Sequence, residues 1–162
     1  MAIYLKLGDI VGNVTHTDNK EWIALDNCAF ACHRPISQIV GEVANRSRAT
    51  PQITTITAGK KTDVSSEGLM RAAISKTAGV DAEIHYVVND DDNKYKKIQS
   101  IKLKNVIVAS YNQSASSEGD PYESLELSFS NIEADFNPSD ATGKTAGSPK
   151  LVKFDLATGE AG

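Results

Sequence analysis

The stretch that decides the fold is Tyr122-Glu123-Ser124-Leu125-Glu126-Leu127-Ser128-Phe129-Ser130-Asn131-Ile132-Glu133-Ala134-Asp135-Phe136. Apolar residues alternate with polar ones, first as Leu125, Leu127 and Phe129, then as Ile132, Ala134 and Phe136. A strand points successive side chains to opposite faces, so each set defines an inward face. Between Phe129 and Ile132 the parity slips by one residue, as a bulge or bend in the strand requires. Residues 100–110 carry the same slip: Ile101 and Leu103 give way to Val106 and Val108. If the two segments pair, both bend at one level, and a barrel follows more naturally than a flat sheet.

Working outward, further strands are predicted over residues 2–7, 21–32, 52–58, 80–88 and 150–156, with Gly, Asn, Asp or Pro between them. The two segments above extend to residues 98–111 and 122–136. Gly12-Asn13 reads as a turn, and residues 89–93 (Asn-Asp-Asp-Asp-Asn) as a polar hairpin connection. Gly119-Asp120-Pro121 and Asn137-Pro138-Ser139-Asp140 are also turn chemistry. Residues 65–76 read as a helix, with Asp63, Ser65 or Ser66 available to cap it. Its stripe of Leu69, Met70, Ala73 and Ile74 is expected to pack on a sheet. Gly79 is expected to be the left-handed residue that ends it. The expected fold is mostly β: an antiparallel β-barrel of two packed sheets with one flanking α-helix, in one domain over residues 1–162.

Residues 21–32 are apolar on both faces of the predicted strand. One face offers Trp22, Ala24, Cys28, Phe30 and Cys32; the other offers Ile23, Leu25, Ala29 and Ala31. The barrel covers one, and the other asks for the helix or a neighbouring subunit. The candidate intersubunit face is Ile23, Leu25, Ala29 and Ala31. Residues 33–50 form a long connection bearing Ile36, Ile39, Val40 and Val43. Loops of this length are uncommon and often functional. This one either folds back on its own barrel or docks on another chain.

Composition excludes several classes. With 17 Lys+Arg against 21 Asp+Glu, the net charge is −4, which gives no general attraction for nucleic acid. No apolar run approaches a membrane span, so membrane insertion is not expected. The N-terminal residues look like a strand and lack the parts of a secretory signal, so synthesis in the cytosol is expected. Cys28 and Cys32 would lie about 13 Å apart in one strand, too far for a disulfide, and read as small buried thiols. With His33 they fall short of a zinc site, which wants four ligands. An EF-hand starting at Asn89 would put Lys94 where glycine belongs and Ser100 where glutamate belongs. His16 and His85 have no motif neighbours, and neither a nucleophile elbow nor a phosphate loop is present. The sequence therefore proposes no catalytic, cofactor-binding or metal-binding residue, no cofactor, and no enzyme activity.

Elements in a fixed order carry a family resemblance. They are Ile3-Tyr4-Leu5-Lys6-Leu7-Gly8-Asp9-Ile10-Val11-Gly12, then Glu21-Trp22-Ile23, then Lys61-Thr62-Asp63-Val64-Ser65-Ser66 with Leu69-Met70-Arg71-Ala72-Ala73. Leu103-Lys104-Asn105-Val106-Ile107-Val108-Ala109-Ser110 follows, then residues 123–132 and the closing Phe136-Asn137-Pro138. In this order the chain resembles the haemolysin-coregulated protein (Hcp) family of type VI secretion tubes. The resemblance implies a homohexameric ring, stacked into a hollow tube that leaves the cell without a signal peptide. It also implies partners: a VgrG-type spike protein, a contractile sheath, and effector cargo in the lumen. The family's loop between strands two and three helps rings meet, which here maps to residues 33–50, with Ile36, Ile39, Val40, Arg46 and Arg48 as candidate stacking residues. A phage-type tail-tube protein shares the architecture. A monomeric small-ligand or carbohydrate-binding barrel is a further alternative, although aromatic content is only 6%, thin for stacking sugars.

Overall fold

Both parity slips are present, and they oppose each other. In a computed structural model of the protein, residues 1–36, 40, 50–75, 78–89, 95–138 and 147–162 are described. The strands are β1 (Ala2–Leu7), β2 (Ile23–Leu25), β3 (Asn27–Ala29), β4 (Cys32–His33), β5 (Gln52–Ile53) and β6 (Ile56–Lys61). After helix α1 (Ser66–Ile74) come β7 (Val80–Asn89), β8 (Tyr95–Ser116), β9 (Gly119–Ser128), β10 (Asn131–Phe136), β11 (Lys150–Asp155) and β12 (Glu160–Ala161). Strand β8 is 22 residues long and serves two sheets. Before Asn105 it pairs with β10, where Lys104 faces Asn131; beyond it, Ile107 faces Ser128 of β9. Asn105 itself takes a left-handed φ of 52°. The break at Phe129-Ser130 thus lies opposite the bend at Asn105, as the two slips require.

Ladders run in the order β12-β11-β10-β8-β7-β1-β2, and a branch β3-β6-β9 returns to β8. Every pairing is antiparallel. A second corner lies at Asp26. Leu25 pairs with Ile3 in the first sheet, Asn27 pairs with Gly59 in the second, and the Asp26 N–H donates to the Gly59 carbonyl at 2.8 Å. The chain changes sheet at both corners, which wraps the two sheets into a barrel. One inward row crosses six strands: Val152, Ala134, Ile101, Ile84, Leu5 and Ile23. All but Val152 are buried. On the second sheet, Ile56, Ala58, Leu125 and Leu127 close the core from the other side and are fully buried.

Several sequence expectations are corrected here. Residues 21–32 do not form one strand, because Asp26 turns the corner and residues 30–31 separate β3 from β4. The segment 52–58 divides between β5 and β6. Gly119-Asp120-Pro121 lies in strand β9, and the turn is at Ser117-Glu118. The helix is Ser66–Ile74, shorter than 65–76. It buries Leu69 and half-buries Ala72 and Ala73, but leaves Met70 and Ile74 outside. Adjacent helical residues are 100° apart, so Leu69 and Met70 cannot both face a narrow contact. Asp63 Oδ1 accepts from the Ser65 N–H at 2.9 Å, and Ser66 Oγ accepts from the Asp63 N–H at 2.9 Å, which fastens the helix start. Gly79 is not left-handed. It is needed for a close approach to Asn105, where a Cβ would come within 2.6 Å of the carbonyl carbon. Gly12 similarly lies against the Trp22 backbone. Cys32 is exposed, not buried, and both cysteines are free. Residues 90–94 and 139–146 lie outside the described residues.

Candidate assembly surfaces

The polar clusters of the barrel are structural. On the second sheet, Lys60 and Glu123 face each other across β6 and β9 and are both buried. Lys60 Nζ reaches Glu123 Oε2 at 2.9 Å, Asp63 Oδ1 at 2.9 Å and Ser66 Oγ at 3.2 Å. Its three N–H groups are thereby satisfied, as burial of an ammonium demands. Glu123 Oε1 is buried without a hydrogen-bond partner. Burial pushes the Glu123 carboxyl up, but the Ser66 hydroxyl, the Lys60 ammonium and the Thr62 hydroxyl outweigh it and hold the group below its usual value. The same contest leaves Asp63 low: burial raises it, and Lys60 and Ser65 more than compensate.

A second cluster pins residues 11–22 to the outer face of the first sheet. The His85 ring bridges Asn19 Nδ2 at 2.9 Å and Glu83 Oε1 at 2.8 Å, with the Trp22 ring 4.4 Å away. His16 stacks on Tyr95 at 4.2 Å, and the Tyr95 hydroxyl donates to Asn19. The hydrogen bond from His85 holds Glu83 below the ordinary carboxylate range, with Lys102 and Lys97 nearby. Across the same face runs a row of alternating charge: Lys153, Glu133, Lys102, Glu83 and Lys6. Such a row neutralises itself through opposite charges on neighbouring strands. Among the described residues no group of three His, Cys, Asp or Glu is placed to hold a metal ion. No described helix is long and apolar enough to cross a membrane.

What the barrel leaves open is apolar surface. Of the predicted stacking residues, Ile36 and Val40 are exposed. Ile39, Arg46 and Arg48 lie outside the described residues. The four residues of the predicted intersubunit face are not brought together. Ile23 and Leu25 are buried in the protomer's own core, whereas Ala29 and Ala31 are exposed. The sheet change at Asp26 shifts parity, so the two halves of the segment present different sets. Two further surfaces were missed. One is a cleft of about 500 Å³ between α1, the end of β1 and the bent part of β8, with Val11, Val64, Val80 and Ile107 on its walls. The other is the overhang of β10 and β11, where Phe136 and Val152 remain 41% and 55% exposed. Its sequence signal is the adjacent pair Leu151-Val152, which makes both faces of β11 apolar.

The chain is similar to a structure described as a type six secretion system protein, with a TM-score of 0.90 at 21% identity, covering 99% of both chains. It is also similar to Hcp1 from Salmonella typhimurium, with a TM-score of 0.74 at 18% identity, covering 99% of this chain and 97% of that one. A mutant of Hcp1 from E. coli EAEC 042 gives 0.75 at 20% identity, covering 96% and 99%. A search of curated proteins finds no match. The likenesses define the class of fold, a barrel of two antiparallel sheets and a helix. The chain belongs to the Hcp family: the family model described as "Type VI secretion system effector, Hcp" matches residues 4–136. The family is one of structural tube proteins that form rings and are secreted by the type VI system.

Proposed function

We propose that the chain is a structural subunit of the type VI inner tube, closing into hexameric rings that stack into a hollow, exported tube. A VgrG-type spike, a contractile sheath and effector cargo in the lumen are its proposed partners. The whole chain acts as one domain in this reading, and no cofactor or catalysis enters it. The observation that carries ring formation is apolar strand surface left uncovered at two separate places, Ile107 beside α1 and Phe136 with Val152 on the overhang, each more than 40% exposed. Uncovered apolar surface on strands marks a protein interface.

Stacking is assigned to residues 33–50, with Ile36, Ile39, Val40, Arg46 and Arg48 as its contacts. The exposure of Ile36 and Val40 supports this. Ala29 and Ala31 stay available for a lateral contact, and Ile23 and Leu25 do not. Light scattering on the eluting protein, with negative-stain microscopy, tests the reading. A mass of six chains and ring images are expected. A monomer at every concentration sinks it and favours the small-ligand barrel instead, for which the α1 cleft is the binding site.

A further inference from the structure

A closed ring of identical subunits repeats one head-to-tail contact, so each copy must carry two different complementary surfaces. The overhang and the cleft have the features of such a pair. On the overhang, Phe136 and Val152 share the inward parity of the sheet, yet they are only half covered. Lys150 stands directly across from Phe136. The cleft is concave, with mostly aliphatic walls and the Glu67–Arg71 ion pair on its α1 side, and its volume of about 500 Å³ is enough for a few inserted side chains. Asp9 stands at its rim.

The two surfaces cannot meet within one protomer. Val152 lies at the level of Ile101, six residues before Ile107 along β8, or roughly 20 Å of strand. Their charges are complementary, and among the described residues neither Lys150 nor Asp9 has an ion-pair partner. An apolar anchor in a pocket, edged by a charge pair, is the usual anatomy of a tight contact.

We propose that the Phe136–Val152 face of one copy seats in the α1 cleft of the next, with Lys150 against Asp9. This rests on the ring reading given above. It names the lateral contact as overhang into cleft, and makes the partner a second copy of this chain.

The test uses the full chain and two substitutions at exposed positions, Val152→Asp on the overhang and Val64→Asp at the cleft. Each variant alone is expected to elute as a 17.4 kDa monomer with the wild-type far-UV circular dichroism spectrum. Mixed in equal amounts, they are expected to give a species of two chains and no ring, since one intact overhang then meets one intact cleft. A second arm does not depend on apolar packing. Lys150→Glu and Asp9→Lys are each expected to raise the concentration for half-assembly roughly tenfold, and the double variant to restore it. Rings from both aspartate variants, a mixture that stays monomeric, or failure of the charge swap to restore assembly overturns the contact and leaves the ring reading standing. A wild-type chain that never forms rings overturns both.

Discussion

The backbone of Gly79 is seated on Asn105 so closely that a Cβ there would fall 2.0 Å from Asn105 Oδ1 and 2.6 Å from its carbonyl carbon. Asn105 holds the left-handed φ of 52° at which β8 passes from one sheet to the other. Asparagine tolerates that region and β-branched residues do not. The pair is therefore the hinge pin of the barrel corner. Gly79→Ala is expected to cost about 1–3 kcal/mol, because the blocking atoms include backbone. Asn105→Val is expected to cost about 1–2 kcal/mol, and Asn105→Gly little. Denaturant unfolding measures all three. Wild-type stability in Gly79→Ala would remove the close approach.

The buried Lys60–Glu123 pair predicts an asymmetry between single and double substitution. Lys60→Met leaves Glu123 buried without its counter-charge and is expected to destabilise by about 3–5 kcal/mol. Replacing both, as Lys60→Met with Glu123→Leu, is expected to recover most of that loss, since an apolar pair carries no desolvation penalty. A double variant as unstable as the single one would show that the pair is needed for more than mutual neutralisation.

Acid sensitivity follows from the same cluster. Asp63 and Glu123 are both held below their usual values in the folded protein. Their contribution is present above the unfolded values, about 3.9 and 4.3, and is lost as pH falls through the lower folded ones. The melting temperature should therefore decline as pH drops from about 5 toward 3. Glu123→Gln should flatten that decline. An unchanged pH slope in this variant would place the acid-sensitive groups elsewhere.

Lateral contact and stacking should separate by mutation. Ala29→Arg sits on exposed strand surface, so the protomer is expected to fold and any loss of rings reports an interface there. Arg48→Glu is expected to leave rings intact and to shorten tubes seen by negative stain, with the effect fading at high salt. Tubes of normal length would remove Arg48 from the stacking contact.

The two thiols should differ in reactivity. Burial pushes the Cys28 thiol up, although a hydrogen bond with Tyr86 opposes it, and Cys32 is exposed. A thiol reagent at neutral pH is expected to label Cys32 first and Cys28 only slowly in the native protein. Equal rates would mean that Cys28 is not shielded by the barrel.

Much of this protein was legible in local pattern. A strand's two-residue period is a property of neighbours in sequence, so Ile101, Leu103, Val106 and Val108 reported the bend at Asn105 by their parity alone. Leu125 to Phe136 reported its partner in the same way. The order of motifs along the chain was also enough to indicate the family. Coverage is a different kind of fact, because it relates elements far apart in the chain. Whether Met70 or Ala72 met the barrel, whether Leu25 and Ala29 shared a face, and whether Val152 had anything above it depended on where the sheets turned. Those turns, at Asp26 and Asn105, set which apolar residues the protomer hides and which it leaves exposed. Sequence thus determined the strand periods and the inward faces of the long strands, while the tertiary structure alone decided where the chain changes sheet and which apolar surface stays uncovered.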